Sequence, residues 1–192
     1  VIIVICIELC RHGYDNYVVQ KLNKNDVKLS PGMSRAEIKF LQQVQKEEIK
    51  LFNEFSRLCK KHNLQYILGY GTLIGSLQYG GLIPWDDDID ILMPKADVKR
   101  LEEIVRDPYY IFKVRSGAFK FKRDKQKYFI DIAILEDHDK STRDLSNGIH
   151  YKKTDLYPLR TGSFEGILHP IPNEPTNMLD IRYKRNINNL IP

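Results

Sequence analysis

Two hydrophobic rhythms run along the chain, one helical and one alternating. Phe40, Val44, Leu51, Phe55 and Leu58 recur at helical spacing with Lys, Gln and Glu between them, which predicts a long amphipathic helix with one stripe on a core. Ser34 and Glu37 form a capping box at its start, just after the break at Ser30-Pro31-Gly32. Asn tolerates the left-handed conformation, so the helix is expected to end near His62-Asn63. A short strand over Gln65–Tyr70 follows, then Gly71-Thr72, a brief apolar helical piece to Tyr79, and Gly80-Gly81. Residues 88–93 read as a strand. Asp97–Arg106 reads as a second amphipathic helix, with Val98, Leu101, Ile104 and Val105 inward and Asp97 as N-cap. Three strands are expected at Tyr109–Arg115, Ala118–Arg123 and Tyr128–Leu135. Glu136–His150 reads as a polar surface loop. The proline-rich tail (Pro158, Pro170, Pro172, Pro175) reads as irregular, with a last short helix around Met178–Asn186. At the other end, the β-branched run within Val1–Leu9 predicts a buried strand, followed by a polar stretch, Arg11–Lys28. Helices mixed with consecutive strands favour an α+β fold over a strictly alternating one.

Composition narrows the class. The 192 residues are 42% hydrophobic and 29% charged, which excludes disorder and low-complexity architectures as whole-chain descriptions. No internal repeat is present, so solenoids are excluded. The net charge of +5 permits an anionic ligand without requiring one. Its distribution is more informative: residues 113–128 hold seven Lys or Arg and one Asp, whereas residues 86–90 read Asp-Asp-Asp-Ile-Asp. Three cysteines without a Cys-x-x-Cys pair, and no glycosylation sequon, point to a reducing compartment, most simply the cytoplasm. Cys6, Cys10 and His12 sketch half of a zinc site whose other half is missing. The apolar start is too short for a membrane span, which needs about 20 residues.

The candidate chemistry lies in the carboxylates. In a strand, residues two apart share a face, so Asp88 and Asp90 point one way while Ile89 and Ile91 point to the core. Asp86 joins them if the extended segment begins early. Carboxylates this dense repel one another, and a hard divalent cation, Mg²⁺ or Mn²⁺, is the usual compensation. A solvated acidic loop fits poorly with flanks of Ile83-Pro84-Trp85 and Ile91-Leu92. A helix-type calcium loop requires Gly where Ile91 stands. Asp131 is the only charge in the apolar run Tyr128–Leu135. It is either a structural partner for a nearby lysine or the third carboxylate of the cation site.

Gly71 and Thr72, between a strand and a helical turn, offer backbone approach and a hydroxyl to a phosphate; Gly75-Ser76 competes for that role. Along Phe119-Lys120-Phe121-Lys122 the two lysines share a face, and with Arg123 they are candidate phosphate contacts. A half-solvated strand would show the same alternation. His150 and His169 carry no triad or metal spacing, and a surface position is the default for both.

These residues also carry a resemblance. Gly71-Thr72-Leu73-Ile74-Gly75-Ser76, followed by Gly80-Gly81-Leu82-Ile83-Pro84-Trp85-Asp86-Asp87-Asp88-Ile89-Asp90-Ile91, resembles the signature of the LicD family of bacterial phosphocholine transferases and fukutin-related proteins. Leu58–Asn63, Phe129-Ile130-Asp131-Ile132, Leu156-Tyr157-Pro158-Leu159, Phe164-Glu165-Gly166 and Pro170-Ile171-Pro172 extend it, so that it runs from about Met33 to the end. The resemblance implies a nucleotidyltransferase fold of the polymerase-β type, a small mixed β-sheet flanked by helices. It implies a single catalytic domain whose family-like region is residues 33–192; residues 1–32, read from their own pattern as an N-terminal strand and linker, are not explained by it. It further implies Mg²⁺ on Asp88, Asp90 and Asp131 with Asp86 nearby, a CDP-alcohol donor, a cell-surface glycan acceptor and CMP release. No aromatic-basic motif argues for nucleic acid, and no nucleic-acid partner is expected. Two departures stand out: a short segment between Leu135 and Tyr157, and Tyr183-Lys184 where many members have Tyr-Gly. Both bear on substrate choice. Other classes compatible with the residues are an NTP-dependent nucleotidyltransferase acting on a small molecule, a non-catalytic nucleotide- or metal-binding module, and a nucleic-acid binder.

Overall fold

The computed structural model describes residues 34–183. The strand expected at Val1–Leu9, the polar stretch after it and the Cys6/Cys10/His12 half-site lie outside the described residues. Helix α1 (Arg35–Lys61) starts at the anticipated capping box: Glu37 N–H donates to the Ser34 hydroxyl, and Ser34 N–H donates to the Glu37 carboxylate. At its far end, Asn63 adopts φ 50°, Leu64 N–H donates to the Cys59 carbonyl, and Asn63 N–H donates to that of Lys60. This is a Schellman closure. The buried stripe is Leu41, Val44, Glu48, Leu51, Phe52, Phe55 and Cys59. Phe40, expected on it, is 57% exposed. At about 100° per residue, Phe40 and Leu58 sit on the same edge of the stripe, and only Leu58 reaches the core.

The chain then runs through β1 (Ile67–Leu68), α2 (Tyr70–Gln78), β2 (Ile89–Pro94) and α3 (Lys95–Ile104). β2 feeds straight into α3, so Pro94 holds the cap position and Asp97 lies in the first turn, not at the N-cap. There Asp97 accepts from Gln65 N–H and from Arg100. β3 (Tyr109–Arg115), β4 (Ala118–Arg123) and β5 (Ile130–Asp137) lie close to the expected bounds. The supposed loop 136–150 instead carries β6 (Ser141–Asp144) and leads into β7 (His150–Lys152). Fully buried Thr142 and Asp144 hide this strand from a polarity reading.

Among the described residues seven strands form one mixed sheet in the order β1-β2-β5-β4-β3, with β6 on the far end of β5 and β7 on β6. Among the described strands only the β2–β5 pair of this sheet is parallel. Ile89, Ile91, Ile130 and Ile132 cover one face and pack with Phe52 and Phe55 of α1 and Leu101 of α3. Leu92, Ala133 and Leu135 cover the other, with Tyr151, Leu156 and Met178. This helix-flanked mixed sheet bears out the α+β expectation.

The described part of the tail is regular, and the anticipated helix end at Asn186 lies outside the described residues. After α4 (Lys153–Leu156), strands β8 (Arg160–Phe164) and β9 (Ile167–Ile171) form a separate hairpin, and α5 (Pro175–Tyr183) begins three residues before the anticipated start. Glu165 and Gly166 both have positive φ, the signature of a two-residue type I′ turn. Pro170 is tolerated because a two-stranded ladder is all edge. Glu165 N–H donates to the Gly80 carbonyl, its carboxylate accepts from Leu82 N–H, and the Ser76 hydroxyl donates to the Ser163 carbonyl. The hairpin thereby clips α2 to the loop before β2. His169, expected at the surface, is buried instead, stacked on Phe52 and hydrogen-bonded through Nδ1 to the Tyr66 hydroxyl. Among the described residues no helix is long and apolar enough to cross a membrane.

Candidate metal centre

The parallel register places Asp90 directly beside Asp131. Asp88, just ahead of β2, joins them, and Asp88, Asp90 and Asp131 each offer a carboxylate oxygen within 4.8 Å of the others. Alternation explains why: each Asp alternates with an isoleucine that anchors the opposite face of its strand in the core. Asp90 is further fixed through its backbone. Its N–H donates to the Thr72 hydroxyl at 2.8 Å, and its carbonyl accepts from Gly69 N–H at 3.1 Å.

Asp86 lies outside this group of three but adjoins it, its side chain hydrogen-bonding to that of Asp88. The loop that carries it is tied to α1 by Gln45, whose Nε2 reaches the carbonyls of Ile83, Pro84 and Asp86. A Cβ on Gly71 would lie 2.8 Å from Asp86 Oδ2, so the glycine makes room for the carboxylate. Gly71 and Thr72 occupy the first turn of α2, which has no side-chain cap at Gly69. Gly75 packs against the Gly81 carbonyl, and the Ser76 hydroxyl is committed to β8, so that alternative pair is structural.

Of the basic candidates, Lys120 is at the site. Its ammonium is 3.1 Å from Asp131 Oδ1 and sits over the Phe129 ring. Asp131 is thus both paired with a lysine and part of the carboxylate group. Lys122 shares the Lys120 face by alternation. Arg123 points to the opposite face and pairs with Glu54 of α1 at 3.4 Å.

One residue escaped the sequence reading. Glu48, on the core stripe of α1, is 3% exposed, and its Oε2 has no hydrogen-bond partner among the described residues. Burial and then the charges of Asp88, Asp87, Asp86 and Asp131 push its carboxyl up to about 9. The signal was available: a Glu four residues after Val44 and three before Leu51 interrupts an apolar stripe.

The other carboxyls respond alike. Burial, then Asp88, raises Asp86 to about 8. Burial raises Asp88, and raises Asp90 strongly with the charges of Asp88, Asp131 and Asp86 adding to it. Burial also raises Asp131, opposed by Lys120. A cluster of hard oxygen donors held apart from sufficient countercharge is a fit host for a hard divalent cation.

Comparison with known proteins accords with this geometry. The family described as LicD/FKTN/FKRP, nucleotidyltransferase domain, matches residues 63–174. The lipopolysaccharide cholinephosphotransferase LicD of Haemophilus influenzae is 39% identical over 56 residues, 29% of this chain and 21% of that protein. Uncharacterized proteins of Rickettsia typhi and Rickettsia prowazekii are 27% and 26% identical, covering 79% and 70% of this chain. The chain spans about half the length of these two relatives, 51% and 53%. With more than half its length matched and the carboxylate cluster inside the matched region, the chain belongs to the LicD family.

Proposed function

We propose that the chain transfers a phospho-alcohol group, phosphocholine or a similar one, from a CDP-activated donor to a hydroxyl of a glycan, releasing CMP. The observation that carries this reading is the convergence of Asp88, Asp90 and Asp131 within 4.8 Å. The likeness to the Haemophilus cholinephosphotransferase supports the choice of transferred group.

In this reading Asp88, Asp90 and Asp131 hold Mg²⁺ or Mn²⁺, with Asp86 as an adjoining carboxylate. Bound there, the cation supplies charge neutralisation to the donor diphosphate. Asp131 takes the proton as the acceptor O–H bond breaks. The freed oxygen forms a new bond to phosphorus, and the P–O bond to CMP breaks in line. Lys120, 3.1 Å from Asp131, steadies the departing charge. Gly71 and the first turn of α2 face the donor phosphates. Thr72, whose hydroxyl accepts the Asp90 N–H, acts by positioning Asp90.

The test is product analysis with CDP-choline, CDP-ribitol, CDP-glycerol, CTP and ATP in Mg²⁺ or Mn²⁺, with an oligosaccharide acceptor. CMP release from a CDP-alcohol, abolished in Asp88→Asn, is the expected result. Pyrophosphate release from CTP or ATP would replace this reading with a nucleotidyltransferase.

A further inference from the structure

Arg182, near the end of α5, has no ion-pair carboxylate among the described residues, and its Nε is buried without a hydrogen-bond partner. Its guanidinium lies 4.9 Å from the centre of the Tyr70 ring and 5.6 Å from that of Tyr183. Tyr70 is the first residue of α2, at φ 43°. Its ring is fixed because the hydroxyl donates to buried Asp144, which also accepts from Ser146 and Asn147. Arg182 is therefore stacked on a rigid platform at the uncapped start of a helix.

Tyr70 is held against the acidic strand on both sides: the N–H of Gly69 before it donates to the Asp90 carbonyl at 3.1 Å, and the Thr72 hydroxyl after it accepts from Asp90 N–H at 2.8 Å. Among the described residues the guanidinium stacked on that ring makes no hydrogen bond or ion pair to Asp90. Lys120 shows what a neutralising contact looks like here, at 3.1 Å from Asp131. An arginine stacked on Tyr70 beside the acidic strand, with no carboxylate partner among the described residues and its Nε unbonded to them, keeps donors available. The chemical complement of that fork is a phosphate, which takes two parallel N–H donors at once.

We propose that Arg182 is the fixed cation of a phosphate subsite between the first turn of α2 and Asp90, and that it binds the donor's diphosphate. This rests on the transfer reading above for the identity of the donor, but not for the binding of phosphate. It also gives α5, which supplies none of the carboxylates, a direct part in the site.

The experiment is calorimetric titration of the full chain with inorganic diphosphate and with CMP, MgCl₂ present throughout, using Arg182→Met and Arg182→Lys. Arg182→Met is expected to weaken diphosphate binding at least tenfold. Arg182→Lys, which keeps the charge and loses the fork, is expected to fall between it and the parent. Both should melt within a few degrees of the parent, and Arg182→Lys keeps the comparison valid if the Met variant is unstable. Equal diphosphate affinity in parent and both variants would overturn the proposal while leaving the transfer reading standing. Loss of diphosphate binding in the variants, with no CDP compound turned over by the parent, would uphold the subsite and remove the transfer reading.

Discussion

Replacing Glu48 by Gln should stabilise the cation-free protein, and the gain should grow with pH. The Glu48 carboxyl is pushed up to about 9 in the fold and returns to 4.5 when the chain unfolds. Between those values the folded chain keeps a proton that the unfolded chain has released. The stability linked to Glu48 is thus fully present below pH 4.5 and is lost as pH rises toward 9. Each pH unit in that window costs about 1.4 kcal/mol, so at pH 7 the loss approaches ~3 kcal/mol. This is an upper figure, because Asp86, held up to about 8, titrates in the same window and supplies part of the cause. Glutamine keeps the shape and carries no charge. In a chain of this size, ~3 kcal/mol corresponds to a rise of about 6–12 °C in Tm. The assay is thermal melting of parent and Glu48→Gln in EDTA at pH 5, 6, 7 and 8. A gain that is the same at every pH, or a less stable variant at pH 7, would refute the reasoning.

Mg²⁺ binding at pH 7 should release protons, because a cation favours the ionised forms of carboxyls that burial and mutual repulsion hold up; calorimetry in buffers of different ionisation enthalpy reads this, and Asp88→Asn should remove most of the binding. Thr72→Val leaves the Asp90 N–H without its acceptor in a site where Thr72 is 1% exposed; it should cost about 1–3 kcal/mol in urea denaturation, with Thr72→Ser recovering most of it. Gly71→Ala should leave Tm unchanged or slightly raised, since Ala favours helix by about 1 kcal/mol, yet cut activity by roughly tenfold or more through displacement of Asp86; an active variant would free Asp86 from any role. Gly117→Ala should disrupt the fold, because Gly117 has φ 73° and an added Cβ would lie 2.2 Å from the Leu145 backbone; wild-type Tm would contradict this.

The elements that announce themselves by period or by caps were legible. α1, α3 and the three strands β3–β5 follow from apolar spacing, and both ends of α1 follow from Ser34, Glu37 and Asn63. The three ligand candidates were legible because charges inside an apolar strand require a reason. What stayed hidden depends on tertiary context. β6 has no apolar alternation, since its inward positions are Thr142, which donates to Asp137 on the neighbouring strand, and Asp144, which accepts from Tyr70, 74 positions away. The β8–β9 hairpin turns on Glu165-Gly166, a weaker signal than Asn-Gly, and contains a proline that a central strand would refuse. Glu48 was passed over because its neighbours define the stripe it interrupts. Arg182 lies 92 positions after Asp90, and no local pattern relates the two.

The hairpin clip has a consequence for how much chain the chemistry needs. The candidate carboxylates all precede Ile132, so a fragment ending after β5 would carry every one of them. It would lack Glu165 and Ser163, whose bonds to Gly80, Leu82 and Ser76 fix the segment leading into the acidic strand. The stretch that defines the signature and the stretch that can work are therefore different lengths, the second reaching at least Ile171. Grafts between relatives would have to exchange α2, residues 80–82 and the β8–β9 hairpin as one module, although some 80 positions separate its two halves.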